Sequence, residues 1–333
     1  MSTLPATAQR ASYDHRGPVP QDVIRCETVP LAAPGEGQLL VALEAASINP
    51  SDVLTLTGQY GMLPPLPAVG GNEGVGRVVA QGPGVTAPAV GARVLLPVGC
   101  GTWASHHLVP AASAIVLPPA GDPLQLAMLA VNPPTASLLL SEFVALRDGE
   151  WVIQNAANSG VGEYVIQLAR ARGVRTVNVV RRADAVAPLE ALGGDVVLVD
   201  GPDLAARVAA ATGKAKIALA LDAVGGAATD RVAQCLAPGG TVVNYGALSG
   251  APCTLTPGQL IFRGVQLKGF WLAQWFRTTP PAQQQALYGA LVQEIAAGRL
   301  HARVHATYPL AQVAEAVAAA AQGGRHGKVL LVP

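Results

Sequence analysis

The chain has 333 residues and a formal net charge of +1, with half of its residues hydrophobic and 13% charged. That length suits two domains, and the apolar content excludes a disordered polymer. The balanced charge, with no long basic block, excludes a nucleic-acid-binding surface.

In chain order, the opening MSTLPATAQRASYDHRGPVPQ lacks the apolar core of a signal peptide, and its Asp14 is unlike a transit peptide. Apolar runs further on are broken by Gly, Pro or charge before bilayer length, so no membrane span is expected. The four cysteines, Cys26, Cys100, Cys235 and Cys253, lie far apart and form no metal-binding pair. A reducing compartment follows, and the expected location is cytoplasmic. QLLVALEAASI, EGVGRVVAQG, ARVLLPVG and ASHHLVP then read as short strands punctuated by Gly and Pro, a β-rich, barrel-like unit. His106 and His107 are adjacent, so a strand points them to opposite faces and they make a poor ligand pair.

After LQLAMLAVNPPTASLLLSEFVALRDGE the rhythm changes. EWVIQNA is a strand, GVGEYVIQLARARG a helix and RTVNVV a strand; DVVLVD, IALALDAV and GTVVNYG add strands, with helices at PDLAARVAAAT and around ATDRVAQCL. This alternation implies a parallel sheet with helices on both faces. VQLKGFWL could add a last strand, and PAQQQALYGALVQEIAAG and LAQVAEAVAAAAQG read as helices. GKVLLVP reads as a strand returning to the first domain.

QNAANSGVGEYVIQLA links a strand to a helix through small residues, which let backbone approach a pyrophosphate at a helix N-terminus. The fit to GxGxxG is relaxed: Ala157 and Ser159 take the first two glycine places and only Gly162 fits the third. A tight βα turn without ligand is the competing reading. The next strand ends in Arg181 and Arg182, where an NAD enzyme usually places a carboxylate for the ribose. Guanidinium groups can grip a 2′-phosphate instead, which favours NADPH; a solvated arginine pair opening a helix also fits.

Over nearly its whole length the chain resembles the medium-chain dehydrogenase/reductase superfamily. The resemblance implies an α/β fold: a Rossmann-type doubly wound parallel sheet domain at 128–272, inside a β-rich GroES-like catalytic domain formed by 1–127 and 273–333. Zinc members carry Cys and His where this chain has NPSD and GGNEG, so Asn49 and Asn72 stand in place of strong ligands and no catalytic metal is expected.

Five segments resemble the trans-2-enoyl-thioester reductases of mitochondrial fatty-acid synthesis more narrowly. They are NPSD with GQYGMLPPLPAVGGNEG, VNPPTA, QNAANSGVGEYVIQ with VNVVRR, NYGAL, and LKGFWLAQWF. That family reduces the C2=C3 bond of enoyl-CoA or enoyl-acyl-carrier-protein with NADPH, as a homodimer. The likeness makes Tyr60 of GQYG the catalytic residue. A phenol keeps its proton at neutral pH and can donate to the thioester oxygen as charge develops there. Taken alone, Tyr60 fits equally well as a ring stacked in a Pro-rich turn. The likeness places Asn132 and Thr135 near the nicotinamide, although Thr135 would also serve as an N-cap after a Pro-stopped turn. Asn158, Ser159, Gly160 and Val161 resemble the pyrophosphate loop, and Tyr245, Gly246, Ala247 and Leu248 a loop at a strand's carboxyl end. Phe270, Trp271 and Leu272 resemble a second nicotinamide-side segment, with core packing a rival role for Phe270. Lys328 resembles a lysine reaching the cofactor, although a lone Lys is more often solvated. A zinc-free NADPH quinone oxidoreductase, a related enone reductase, and an NADPH-binding protein without turnover are the alternatives.

Overall fold

The computed structural model describes residues 4–333, which divide into two compact units: 4–131 with 288–333, and 132–287. The second unit thus spans 132–287, where the family resemblance implies 128–272. No helix among the described residues is long and apolar enough to cross a membrane.

The first unit is β-rich. Its seven-stranded sheet runs Val304–Pro309, Lys328–Val332, Gln38–Ser47, Gly74–Gln81, Arg93–Leu95 and Ile115–Val116, with His106–Pro110 also pairing Gln38–Ser47. A three-stranded sheet orders Arg25–Pro30, Thr7–Tyr13 and Ala68–Val69. Leu39, Val41 and Leu43 of the long strand pack with Tyr13, Val94 and Trp103 in one continuous core. The glycines of VGGNEG make room for that Trp103: a Cβ on Gly70 would lie 2.3 Å from its ring, and Gly71 combines a φ of +99° with an equally close approach. The Trp103 Nε1 donates to Ser47 O at 3.2 Å, satisfying the polar end of a buried indole.

The tail returns to this unit. Lys328–Val332 pairs antiparallel with Gln38–Ser47, Leu330 opposite Ser47 and Leu331 opposite Ala46. Its apolar side chains continue the same core. This register carries Lys328 to the end of the strand that leads into Asn49.

The second unit holds a six-stranded parallel sheet. Its order is Val196–Val199, Arg175–Val180, Trp151–Gln154, Ile217–Asp222, Thr241–Asn244 and Gln266–Gly269. The chain order reverses beside Trp151–Gln154, the topological switch point outside which such sheets bind ligands. Trp151–Gln154 is buried throughout, as expected of a central parallel strand. The helix Gly160–Ala171 turns Tyr164, Val165, Ile166, Leu168 and Ala169 inward, the 3.6-residue spacing visible in the sequence. The strand expected over VQLKGFWL stops at Gly269; Leu272 already opens the helix Leu272–Thr278. Asn132–Leu139 is helical from its first residue, with Pro133 and Pro134 in the first turn, where their missing N–H groups cost nothing. Thr135 is therefore inside the helix, not its cap.

Candidate active site

In the second unit, Ser159 caps the helix Gly160–Ala171 and accepts from Gly162 N at 3.2 Å. A Cβ on Gly162 would meet the carbonyl oxygen of Ala157 at 2.5 Å, so the helix can start only with glycine there. Ala156 sits at φ 46°, an unusual conformation for a residue with a Cβ, and turns the loop out of the strand. Asn158, Ser159, Gly160 and Val161 are all half-buried at this turn. Small side chains, a capped helix start and a close backbone approach form a cradle that fits the pyrophosphate of a dinucleotide.

The neighbouring strand ends point the same way. Arg181 and Arg182 follow Arg175–Val180; Arg181 is exposed, while Arg182 Nε pairs with Asp184 Oδ1 at 3.0 Å. A carboxylate does therefore stand beside the arginine pair. Tyr245, Gly246, Ala247 and Leu248 follow Thr241–Asn244. Burial holds the Tyr245 phenol well above its ordinary pKa, opposed by the Ser159 hydroxyl. A Cβ on Gly246 would lie 2.8 Å from Ala223 O, another close backbone approach. Phe270 donates its N–H to Asn244 O at 2.9 Å and packs edge-on against Phe143 at 6.0 Å, so its ring has a packing role. Trp271 precedes the helix Leu272–Thr278, with the Arg277 guanidinium 5.2 Å from its ring centre and Leu272 half-buried. Asn132 and Thr135 are buried in the first turn of their helix.

Asp222, unread in the sequence, holds these loops together. It ends the strand Ile217–Asp222 with no solvent exposure. Its Oδ1 accepts from Asn155 Nδ2 at 2.6 Å, Val224 N at 2.9 Å and Gly225 N at 3.1 Å. Its Oδ2 accepts from Thr229 Oγ1 at 2.7 Å and Asn244 Nδ2 at 3.0 Å. Burial pushes the carboxyl up, but these donors together outweigh it and hold the pKa below the ordinary value.

In the first unit, Asn49 precedes the helix Pro50–Leu56, and Asp52 Oδ2 accepts from Asn49 N at 2.7 Å, a capping interaction at its start. Past the helix, Tyr60 N donates to Leu54 O at 3.1 Å, which fixes the chain where the phenol begins. Tyr60 lines a cavity of about 390 Å³ together with Asp52 and Asn72 on one side and Leu56, Met62 and Leu63 on another. The cavity is mostly apolar with a few polar groups, the make-up of a small-molecule pocket.

Behind it lies a buried polar cluster. Glu73 Oε1 accepts from Ser47 Oγ at 2.5 Å and Asn49 Nδ2 at 2.7 Å, and its Oε2 from Val131 N at 2.9 Å. Asn72 Nδ2 donates to Asp52 Oδ1 at 2.7 Å. Lys328 is not solvated: it is 5% exposed, and its Nζ donates to Ile48 O at 3.2 Å and to Asn49 Oδ1. Desolvation drives the Lys328 ammonium down to about 8, against the pull of Glu73 and Asp52. It drives Asp52 up to about 7, and Glu73 also upward.

Two family models match: an alcohol dehydrogenase GroES-like domain over residues 35–119, and a zinc-binding dehydrogenase over residues 160–287. Together with the parallel sheet, they define a medium-chain dehydrogenase/reductase. The mitochondrial enoyl-[acyl-carrier-protein] reductase of Bos taurus is 39% identical over 99% of this chain and 90% of its own length. Its Homo sapiens counterpart is 39% identical over 93% of this chain and 84% of its own. Among solved structures, a complex of Etr1p with NADP and crotonyl-CoA aligns with a TM-score of 0.89 at 25% identity, covering 98% of this chain and 100% of that one. An Etr1p/Etr2p heterodimer from Candida tropicalis aligns at 0.88 and 26% identity, with coverage of 98% and 100%. A chain assigned as an NADPH:quinone reductase from Bacillus thuringiensis aligns at 0.88 and 28% identity, with coverage of 99% and 100%. The chain belongs to the enoyl-[acyl-carrier-protein] reductase family of the medium-chain dehydrogenases/reductases.

The zinc implied by the family model's name does not fit these residues. Asn49, Asn72 and Ser47 offer amides and a hydroxyl where thiolate or imidazole is needed. Among the described residues no group of three or more His, Cys, Asp or Glu could hold a metal ion.

Proposed function

We propose that the protein reduces the C2=C3 double bond of 2-enoyl thioesters with NADPH, without metal, and that Tyr60 is its catalytic residue. The observation that carries this is the position of Tyr60: within the family's GQYG segment, it lines an apolar cavity that also holds Asp52 and Asn72. When bound, NADPH supplies the hydride. Asn158, Ser159, Gly160 and Val161 would hold its pyrophosphate, with Tyr245 to Leu248 alongside and Arg181 and Arg182 toward the 2′-phosphate. Phe270, Trp271, Leu272, Asn132 and Thr135 are assigned to the nicotinamide side. Lys328, expected at the cofactor, is assigned instead to the charge cluster behind Tyr60, since its ammonium is already engaged there.

Reduction at the β-carbon sends negative charge to the thioester oxygen. The Tyr60 hydroxyl donates to that oxygen, and the bond strengthens as the charge grows, favouring the transition state. The apolar walls at Leu56, Met62 and Leu63 suit an acyl chain.

The test is NADPH oxidation followed at 340 nm with crotonyl-CoA and, separately, with a benzoquinone. Turnover with the thioester supports the proposal; turnover with the quinone alone would make the protein a quinone reductase, which the Bacillus thuringiensis likeness favours. A homodimer is part of the same proposal. The strand Gln266–Gly269 lies at the sheet edge with all four residues exposed, beside Ile261 at 71% and Phe262 at 84% exposure. An open edge flanked by bare apolar side chains calls for cover by a second copy. Recognition of an acyl carrier protein, a role in fatty-acid metabolism and a cytoplasmic location complete the proposal. The four free thiols support the reducing compartment.

A further inference from the structure

Tyr60 sits at the start of an exposed segment. Residues 61–67, which follow it, are all exposed. Gly58, just past the end of the helix Pro50–Leu56, has a φ of +76°, the left-handed turn that stops helices. An exposed loop of this kind leaves its side chains mobile unless both of its flanks are held. A hydroxyl that must meet one substrate oxygen needs such holding, because alignment of reacting groups is steep in distance.

Arg16 reaches both flanks. It follows the strand Thr7–Tyr13, and its neighbour Gly17 donates its N–H to Leu56 O at 3.2 Å. The backbone at Arg16 is thereby tied to the end of the helix that leads to Tyr60. The side chain then passes Gly58: a Cβ there would lie 3.4 Å from Arg16 Cδ and 3.7 Å from Arg16 Cβ, so the aliphatic stem lies alongside this residue. Beyond the stem, Arg16 Nη2 donates to Pro64 O, on the other side of Tyr60 in the chain. The head is enclosed, with its Nε shielded from solvent. It also faces Tyr13, which lines the same cavity as Tyr60; burial raises the Tyr13 phenol and the guanidinium opposes that rise. A guanidinium carries five donors in a rigid fork, so one head can hold a carbonyl and face a phenol at once, as a lysine cannot.

We propose that Arg16 is a positioning residue for Tyr60, clamping the segment at Gly58 and Pro64 so that the phenol stays where the thioester oxygen arrives. This deepens the enoyl-thioester reading and rests on it. Arg16 is not among the residues that line the cavity, so it acts through Tyr60 and not on the substrate. A displacement of about 1 Å can cost about 100-fold in rate. A released segment still visits the productive position part of the time, so loss of the clamp costs about 10-fold. The loops assigned to NADPH lie in the second unit, and the clamp leaves their affinity alone.

The experiment is a double-mutant cycle in the full chain, with NADPH and crotonyl-CoA. Arg16→Ala should lower kcat about 10-fold and leave KM for NADPH unmoved. The same substitution made on Tyr60→Phe should change kcat by less than about twofold, because the group it positions is already gone. An equal loss in both backgrounds means a general structural role and overturns the proposal, as does an Arg16→Ala variant with wild-type kcat. Should Arg16→Ala fail to fold, the cycle is run with Arg16→Lys, which keeps the charge and most of the stem but loses the fork. A loss confined to the background with the phenol supports the clamp, and an additive loss or none overturns it. Wild type inert toward crotonyl-CoA, or Tyr60→Phe as fast as wild type, refutes the underlying reading and this proposal with it, a result distinct from additivity.

Discussion

A Cβ placed on Gly162 would lie 2.5 Å from the carbonyl oxygen of Ala157, inside any tolerable contact. The loop proposed to receive the pyrophosphate and the first turn of its helix are thus locked by one missing atom. Gly162→Ala should cost about 1–3 kcal/mol of stability. It should also weaken NADPH binding, since loop and helix must part to relieve the clash. Chemical denaturation and fluorescence titration with NADPH measure both effects; a variant with wild-type midpoint and affinity would contradict the arrangement.

Tyr60→Phe keeps the ring in the cavity wall and removes only the donor. The expected loss in kcat/KM toward crotonyl-CoA is about 100-fold or more, the scale of a single lost oxyanion donor. NADPH affinity should stay unchanged, because the proposal assigns the phenol to the enoyl side of the chemistry. Steady-state kinetics alongside a binding titration separate the two.

Arg181 is exposed at its strand end, while Arg182 is held by Asp184. Arg181→Ala should therefore cost more NADPH affinity than Arg182→Ala, about 10-fold or above for a charge-assisted contact. NADH binding should change little. Asp184→Asn should strengthen NADPH binding by releasing Arg182 and removing a like charge. Parallel titrations with both cofactors read the selectivity directly.

The buried cluster also predicts how stability varies with pH. Asp52 rises from 3.8 to about 7 on folding, so the folded state holds a proton that the unfolded state has released between those values. Stability from this group is full below about pH 4 and is lost as pH rises toward about 7. Lys328 falls from 10.5 to about 8, so between those values the unfolded state binds the extra proton and stability rises with pH. The cluster's contribution should reach its minimum between about pH 7 and 8, and Asp52→Asn should flatten the acid side of that trough. Urea midpoints taken from pH 5 to 9.5 would show it.

Phe262→Asp should give a monomer by light scattering if the exposed edge at Gln266–Gly269 is where two copies meet. A dimer surviving that change would move the interface elsewhere.

Local chemistry was legible in the sequence; long-range chemistry was not. Gly162 could be read because close approach acts within a few residues, whereas the cap at Ser159 emerged only with the helix start. The parallel strands could be read because each is a short apolar run. The short helix Val186–Ala191 went unread, as six residues carry too little periodicity. VNPPTA reads as a turn when its prolines are taken as stops, yet at a helix start they are permissive. Asp184 escaped notice because the eye seeks an acid at the strand end, not two residues past the arginine it neutralises. Asp222 looks like any strand-final acid until the partners at Asn155, Thr229 and Asn244 are assembled around it. Lys328 is the sharpest case: nothing near it in sequence tells a lone lysine that a strand register will bury it beside Asn49.

That register has a consequence for biosynthesis. Lys328 meets Asn49 across 279 residues, so a ribosome releases the counterion for Glu73 and Asp52 only after the whole second unit has been made. Until then the N-terminal half holds two acids with no cation and a long strand, Gln38–Ser47, with one neighbour missing. The second unit can mature on the emerging chain, but the first must wait for its last strand.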